Sequence, residues 1–337
     1  MIERILIVRT DRLGDVIATL PMVSVIKERL PSVKVTVMVR SYTEPLLELA
    51  PEVDEVLLFD TNFSLKRKIQ LFESARADVA FFPSPNRDIA SAALFSRIPQ
   101  RVGTAYRWYS SLFTDKIYDH RKTAEYHESE YNIRMLEAID IHSVKTPRPS
   151  LKLSEKHLIE RDTLLTELFG NPSKPYAVIH LGTGGSTREW SKSAFEELAV
   201  YVAQRLSLPI VLTGTEGDRE QILSVSHPLQ GVGADVKLFI GHGLIALAEV
   251  MSNATIVIAG STGPGHLAAA LGAPTVGLFP LAQALSKERW GFRGPNTLNL
   301  APSEIATVSC PMCKDCTCIQ QIRVSDVIVA VDRLMGS

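Results

Sequence analysis

What most restricts the fold of this chain is a repeated alternation of short, continuously apolar runs with longer amphipathic stretches. RILIV at residues 4–8 is strand-length and apolar after its arginine. A loop containing Gly14 follows, then an amphipathic segment over 15–30 that stops before Pro31. VKVTVMV at 33–39 reads as a second strand, so the chain opens with a β-α-β unit whose crossover implies parallel pairing. Apolar runs at 55–59, 78–82 and 100–104 extend that sheet. The stretch 142–152, with Pro147 and Pro149, reads as a linker, and a helix over 155–169 leads into a second series of strands at 176–181, 208–214, 236–241, 254–260 and 274–280. Helices expected at 194–206, 244–252 and 264–271 alternate with these, the first with Ser193 and Glu196 as a capping-box signature. The expected fold class is therefore α/β, with two doubly wound domains facing a cleft. Their expected bounds are 1–150 and 151–324, and the closing helix, 325–337, is expected to return to the first domain.

Length and composition agree. A chain of 337 residues is long for one core and suits two α/β domains of roughly 150 residues each. Its 45% hydrophobic and 22% charged residues are those of a globular protein, and no run approaches the roughly 18 to 20 apolar residues of a membrane-spanning helix. MIERILIVR enters a strand directly, without the basic and long apolar regions of a secretion signal, so a cytoplasmic location is expected. A formal net charge of −1 argues against nucleic-acid binding by broad phosphate neutralisation. Any anionic ligand must be met locally. All four cysteines lie between Cys310 and Cys318, which leaves no disulfide framework elsewhere.

Three loops carry the chemistry. RTDRLGDVIATLP, from Arg9, falls where the first strand passes into the first helix, and ligands of open α/β sheets bind beyond strand C-termini. Gly14 permits a tight turn, and Asp15 stands at or beside the helix start, either as its N-cap or as a general base. Asp11, Arg12 and Gly14 would then lie on the acceptor side. HLGTGGSTREWSKSAF, from His180, supplies Thr183, Gly184, Ser186 and Thr187 with the cation Arg188 directly after, donors that complement phosphate oxygens. GSTGPGHLAAALGAP, from Gly260, ends a strand and starts a small-residue helix with Pro264 in its first turn. Unsatisfied N–H groups there, with Ser261, Thr262 and Gly263, suit a diphosphate, and His266 one turn in is placed to donate to it.

Two further features bear on function. Glu216 is a candidate partner for a ribose hydroxyl or else a solvated charge. CPMCKDCTC places Cys310, Cys313, Cys316 and Cys318 densely enough to hold a structural metal, or to stay as thiols. No Asp-x-Asp pair is present to bridge a divalent ion to a diphosphate, which disfavours metal-dependent donor handling.

In combination and order, the three loops resemble those of glycosyltransferase family 9, whose best-known members are the ADP-heptose:lipopolysaccharide heptosyltransferases. Leu13 to Val16 and Leu20-Pro21 match the family's N-terminal pattern; Arg188-Glu189-Trp190 matches its Lys-x-Trp with arginine for lysine; Ser261 to His266 matches its Asp-Thr-Gly-x-x-His with serine for aspartate. The resemblance implies a GT-B fold of two Rossmann-like domains, Asp15 as catalytic base and inversion at the anomeric carbon. It also implies a nucleotide-sugar donor such as ADP-heptose on the C-terminal domain and a lipid-linked core saccharide acceptor on the N-terminal one. No cofactor is required for catalysis. Such an acceptor implies transient peripheral contact with the inner membrane, for which Lys66-Arg67-Lys68 and the arginines of 97–107 are candidates. Two other readings stay open: a GT-B enzyme using, or epimerising, another nucleotide sugar, and a metal-binding or redox protein organised by the cysteines.

Overall fold

The computed structural model describes residues 2–142, 145–182, 185, 189–302 and 318–336. The chain divides into two compact units, Met1–Arg121 with Tyr126–Lys152, and Leu153–Ser337 with Lys122–Glu125. The first contains β1 (Arg4–Val8), α1 (Leu13–Ile17), α2 (Leu20–Arg29), β2 (Lys34–Val39), β3 (Glu55–Leu58), α3 (Leu65–Ser74), β4 (Val79–Phe81), α4 (Arg87–Phe95), β5 (Gln100–Thr104), β6 (Asp115–Ile117) and α5 (Glu128–Arg134). The second begins with α6 (Glu155–Phe169), β7 (Ala177–His180), α7 (Lys192–Arg205), β8 (Ile210–Gly214), α8 (Arg219–Gly231) and β9 (Val236–Ile240). It continues with α9 (Leu244–Ser252), β10 (Ile256–Gly260), α10 (Gly263–Ala270), β11 (Thr275–Leu278), α11 (Lys287–Trp290), β12 (Thr297–Leu300) and α12 (Val324–Met335).

Each unit holds one six-stranded parallel sheet, ordered β3-β2-β1-β4-β5-β6 in the first and β12-β11-β10-β7-β8-β9 in the second. Both are the doubly wound, Rossmann-like order, in which strand succession reverses beside the first strand. Helices covering both faces explain why the strands read as unbroken apolar runs: Ile5, Leu6 and Ile7 are wholly buried, as are Ile256, Val257 and Ile258. The first core gathers Leu6, Met38, Phe72, Ala80 and Phe82, and the second Ile179, Leu212, Val225, Ile258 and Leu278.

Several local expectations are corrected. The single helix expected over 15–30 is two, because Pro21 opens α2 and Ala18 and Thr19 interrupt the ladder, with Thr19 Oγ1 donating to the Asp15 carbonyl at 2.9 Å. Helix α7 is capped by Ser191, whose hydroxyl accepts from Ala194 N at 3.2 Å, two residues before the expected Ser193. Helix α12 packs on α7, β10, β11 and β12, where its stripe of Val327, Ala330 and Val331 completes the second core.

Small residues set the approach of α10 to its surroundings. A Cβ at Gly265 would overlap the ring of Phe292, and one at Gly277 would come within 2.6 Å of the Phe279 ring. Gly265→Ala should therefore destabilise the protein by about 1–3 kcal/mol through overpacking, although alanine favours a helix. Urea unfolding of this variant against wild type checks it; equal or greater stability would show that Phe292 moves aside without cost.

Candidate functional site

In the first unit the strand order reverses between β1 and β4, and the loops beyond their C-terminal ends converge there. Arg9 follows β1 directly, its amide donating to Met38 O at 2.9 Å, and its side chain is almost wholly buried. The guanidinium lies among three carboxylates. Nη2 donates to Asp15 Oδ1 and, at 3.1 Å, to Glu128 Oε1, while Nε is 3.7 Å from Asp11 Oδ2. Glu128, the first residue of α5, also accepts from Arg121 Nη1, and that nitrogen donates to Asn132 Oδ1 at 2.9 Å. Asn132 Nδ2 in turn donates to Ala18 O at 3.0 Å and Thr19 Oγ1 at 3.2 Å. Helix α5 thus grips both Arg9 and the break between α1 and α2.

The electrostatics follow from this packing. Burial alone would draw the proton from Arg9, but Asp15, Asp11 and Glu128 outweigh it and hold the guanidinium charged beyond its ordinary range. Burial also raises the Asp11 carboxyl, against Arg9 and a hydrogen bond with Ser84, while Asp15 and Glu128 push it further up. Ser84 belongs to the loop after β4, so Asp11 bridges the two sides of the reversal. Asp15 sits in the first turn of α1, whose N-cap position is taken by the exposed Arg12 and whose buried Gly14 precedes it. It is therefore not the N-cap. Its side chain keeps 18% exposure against 2% for Arg9 and for Glu128, so it presents a carboxylate outward from an immobile base. Arg9, Arg121 and Glu128 escaped the sequence reading. The signal for Arg9 was a charge abutting an apolar strand; Glu128 is 119 residues away, and nothing local connects the two.

The second unit reverses between β7 and β10. β7 ends in His180, buried and 2.9 Å from Thr213 Oγ1 through Nδ1. Burial pushes its imidazole down to about 4, against the pull of Asp218 and a hydrogen bond with Gly182, so it is neutral at pH 7. Thr183, Gly184, Ser186, Thr187 and Arg188 lie outside the described residues. Beyond them Trp190 is buried, with Nε1 donating to Ile322 O at 2.9 Å, which ties this loop's end to the segment before α12. After β10, Ser261 N donates to Leu278 O at 3.0 Å; buried Thr262 forms the N-cap of α10 without a side-chain cap bond, its hydroxyl donating to Gly260 O at 3.2 Å. By helix geometry the first N–H groups of α10, from Gly263 on, have no intrahelical acceptor. His266 is buried one turn in, edge-on to Phe292 at 4.9 Å and to Trp290 at 6.3 Å.

Glu216 lies after β8, where Arg219 grips it through two bonds of 2.7 and 2.8 Å and holds its exposed carboxyl below the usual range. Asp218 accepts from Thr215 N at 2.8 Å and Oγ1 at 2.6 Å, and side-chain atoms at Gly182 would overlap it. Cys310, Cys313 and Cys316 lie outside the described residues. Cys318 is buried, its Sγ accepting from Leu281 N at 3.3 Å. The basic stretches expected to meet a membrane are partly committed elsewhere: Lys68 is buried 3.8 Å from Asp88, and Arg101 donates to Leu112 O at 3.0 Å. Among the described residues no helix is long and apolar enough to cross a membrane.

Comparison with known proteins fits this geometry. Residues 82–299 match the model of glycosyltransferase family 9 (heptosyltransferase). A putative glycosyltransferase of Haemophilus influenzae is 29% identical over 301 residues, covering 86% of this chain and 85% of the relative. Among solved structures, a family 9 glycosyl transferase from Veillonella parvula superposes with a TM-score of 0.83 at 19% identity, covering 99% of this chain and 97% of that one. The ADP-heptose lipopolysaccharide heptosyltransferase II of E. coli gives 0.78 at 20% identity, over 99% and 98%. The two Rossmann-like units are those of a GT-B fold.

Two outcomes follow from the charges. Arg9→Met strands three carboxylates without their counter-ion and should cost about 3–5 kcal/mol, with Arg9→Lys milder; a loss below about 1 kcal/mol in urea unfolding would mean that the network adapts. Because the His180 pKa is depressed on folding, the unfolded chain binds a proton that the folded chain refuses between pH 6.5 and about 4. Stability should fall as pH drops through that window, by up to roughly 3 kcal/mol for this group. His180→Gln should flatten that part of the curve, and an unchanged acid limb in the variant would exclude His180 as its source.

Proposed function

The chain belongs to glycosyltransferase family 9, and from that premise we propose that it transfers heptose, or a related sugar, from a nucleotide diphosphate donor to a lipopolysaccharide core acceptor. ADP-heptose is the donor favoured by the family's heptosyltransferase description and by the heptosyltransferase II whose fold this chain shares. The observation that carries the reading is the part-exposed Asp15 carboxylate clasped by the buried Arg9 guanidinium where the first sheet reverses its strand order.

In the proposed reaction Asp15 accepts the proton of an acceptor hydroxyl as that oxygen bonds to the anomeric carbon. The bond from that carbon to the diphosphate oxygen breaks in the same displacement, the nucleoside diphosphate leaves with the electron pair, and the anomeric centre inverts. The donor's diphosphate rests on the start of α10, with Ser261, Thr262 and Gly263, and on Thr183, Gly184, Ser186, Thr187 and Arg188 of the preceding loop. His266 and Glu216 are assigned to the donor side, the latter to a ribose hydroxyl on release from Arg219. Arginine and helix N–H groups stand in for a divalent cation, and any metal at Cys310, Cys313, Cys316 and Cys318 is structural. The enzyme works in the cytoplasm, touching the inner membrane only while it holds its lipid-linked acceptor.

Incubated with ADP-heptose and a lipopolysaccharide core acceptor, the protein should release ADP, and excess EDTA should leave the rate unchanged. Asp15→Asn should lower kcat by about 10²- to 10⁴-fold with little change in the donor KM. Wild-type turnover in that variant would remove Asp15 from the role of base. A thermal-shift panel of ADP-, GDP- and UDP-sugars identifies the donor, and stabilisation by UDP- or GDP-sugars alone would replace ADP-heptose.

A further inference from the structure

The loops after β5 and β6 carry exposed aromatic rings that the reaction at Asp15 does not use, and we propose that they form a stacking subsite for a sugar ring of the acceptor remote from the reacting hydroxyl. This rests on the transferase reading above. Tyr106 and Trp108 follow β5, Tyr118 follows β6, and they are 46%, 79% and 72% exposed. Exposed side chains of this size are ordinarily scattered; here Tyr106 and Tyr118 are paired and held, and Trp108 lies two residues from Tyr106. Tyr106 OH donates to Tyr118 O at 2.8 Å, its ring meets that of Tyr118 edge-on at 6.4 Å, and it lies 4.1 Å from the ring of His120.

The backbone beneath them is fixed as well. Ala105 N donates to Ile117 O at 2.9 Å, joining the two loops. Tyr106 N donates to Thr104 Oγ1 at 3.2 Å, and Ser110 Oγ accepts from Arg107 N at 3.0 Å while donating to Thr104 O at 2.6 Å. Rings ordered before any ligand arrives lose little entropy on binding. That is what a weak, face-on contact with a sugar needs.

Continuity with the carboxylate site identifies the occupant. Trp108 packs edge-on against Tyr109 at 5.7 Å, Tyr109 OH donates to Pro85 O at 2.6 Å, and the neighbouring Ser84 is hydrogen-bonded to Asp11. These contacts lead along the strand C-termini from Asp11 through buried Tyr109 to the exposed Trp108. With neighbouring strands about 4.8 Å apart, the order β1-β4-β5-β6 sets Tyr118 about 14 Å from the strand that leads to Asp15. That is the reach of a short oligosaccharide, not of one sugar. The apolar C–H face of a pyranose ring lies on an aromatic face while its hydroxyls stay wet.

The test takes the full chain and lipid-free lipopolysaccharide core oligosaccharides of graded length. Acrylamide quenching of Trp108 fluorescence should fall on binding, with Trp108→Phe as the blank that assigns the signal. In the wild type, affinity measured by titration calorimetry, which does not depend on Trp108 fluorescence, should rise about three- to tenfold between the shortest oligosaccharide and one of three or more sugars. Trp108→Ala and Tyr118→Ala should lose that gain, Trp108→Phe should keep most of it, and Phe95→Ala, an exposed aromatic at the end of α4, should keep all of it. Circular dichroism identical to wild type establishes that the variants fold. A wild-type length preference in Trp108→Ala and Tyr118→Ala overturns the proposal. So does shielding of Trp108 by vesicles of anionic phospholipid but not by oligosaccharide, which would make the patch a membrane contact. The titration needs neither donor nor turnover, so a wild type that binds oligosaccharide through these rings yet transfers no sugar would count against the reaction and not against the subsite.

Discussion

A guanidinium cut off from water is tolerated only where carboxylates surround it, and Arg9 imposes that condition on the first unit. Removing such an ion from water costs several kcal/mol, so the fold must bring Asp11, Asp15 and Glu128 to it. Two of these lie in the loop and helix that follow β1, while Glu128 arrives on α5. The consequence is positional. Asp15 is part exposed, yet it is held by a group with almost no freedom, and that group is held by a carboxylate which Arg121 also grips. A carboxylate that must meet one hydroxyl at one distance gains from such backing, because the reacting geometry is set before substrate arrives.

The sequence disclosed what depends on local pattern. The run RILIV reads as a strand buried on both faces and is one, and α6 occupies Glu155–Phe169, the span expected of it. The edge strands β6 and β12 escaped because Asp-Lys-Ile and Thr-Leu-Asn-Leu are short and part polar, and pairing with a neighbour alone makes them strands. Likewise Ser193 with Glu196 satisfies the capping pattern, but Ser191 takes the cap because the chain enters the helix two residues earlier. Arg9 with Glu128 was illegible for a different reason. Two charges 119 residues apart carry no mutual signature until the fold joins them.

The two sheets share a winding but differ in what stands at their reversals, and the difference fits a division of labour. At the first reversal carboxylates outnumber the buried cation, an arrangement suited to taking a proton. At the second, His180 is neutral, and the nearby acids are tied off: Asp218 to the Thr215 amide and hydroxyl, Glu216 to Arg219. Among the described residues, what remains at this reversal is Ser261, Thr262 and the positive end of α10, which is where the proposed reaction places its diphosphate. Serine at 261, where the family pattern has aspartate, acts in the same direction, since it leaves that helix start without a carboxylate to repel a diphosphate.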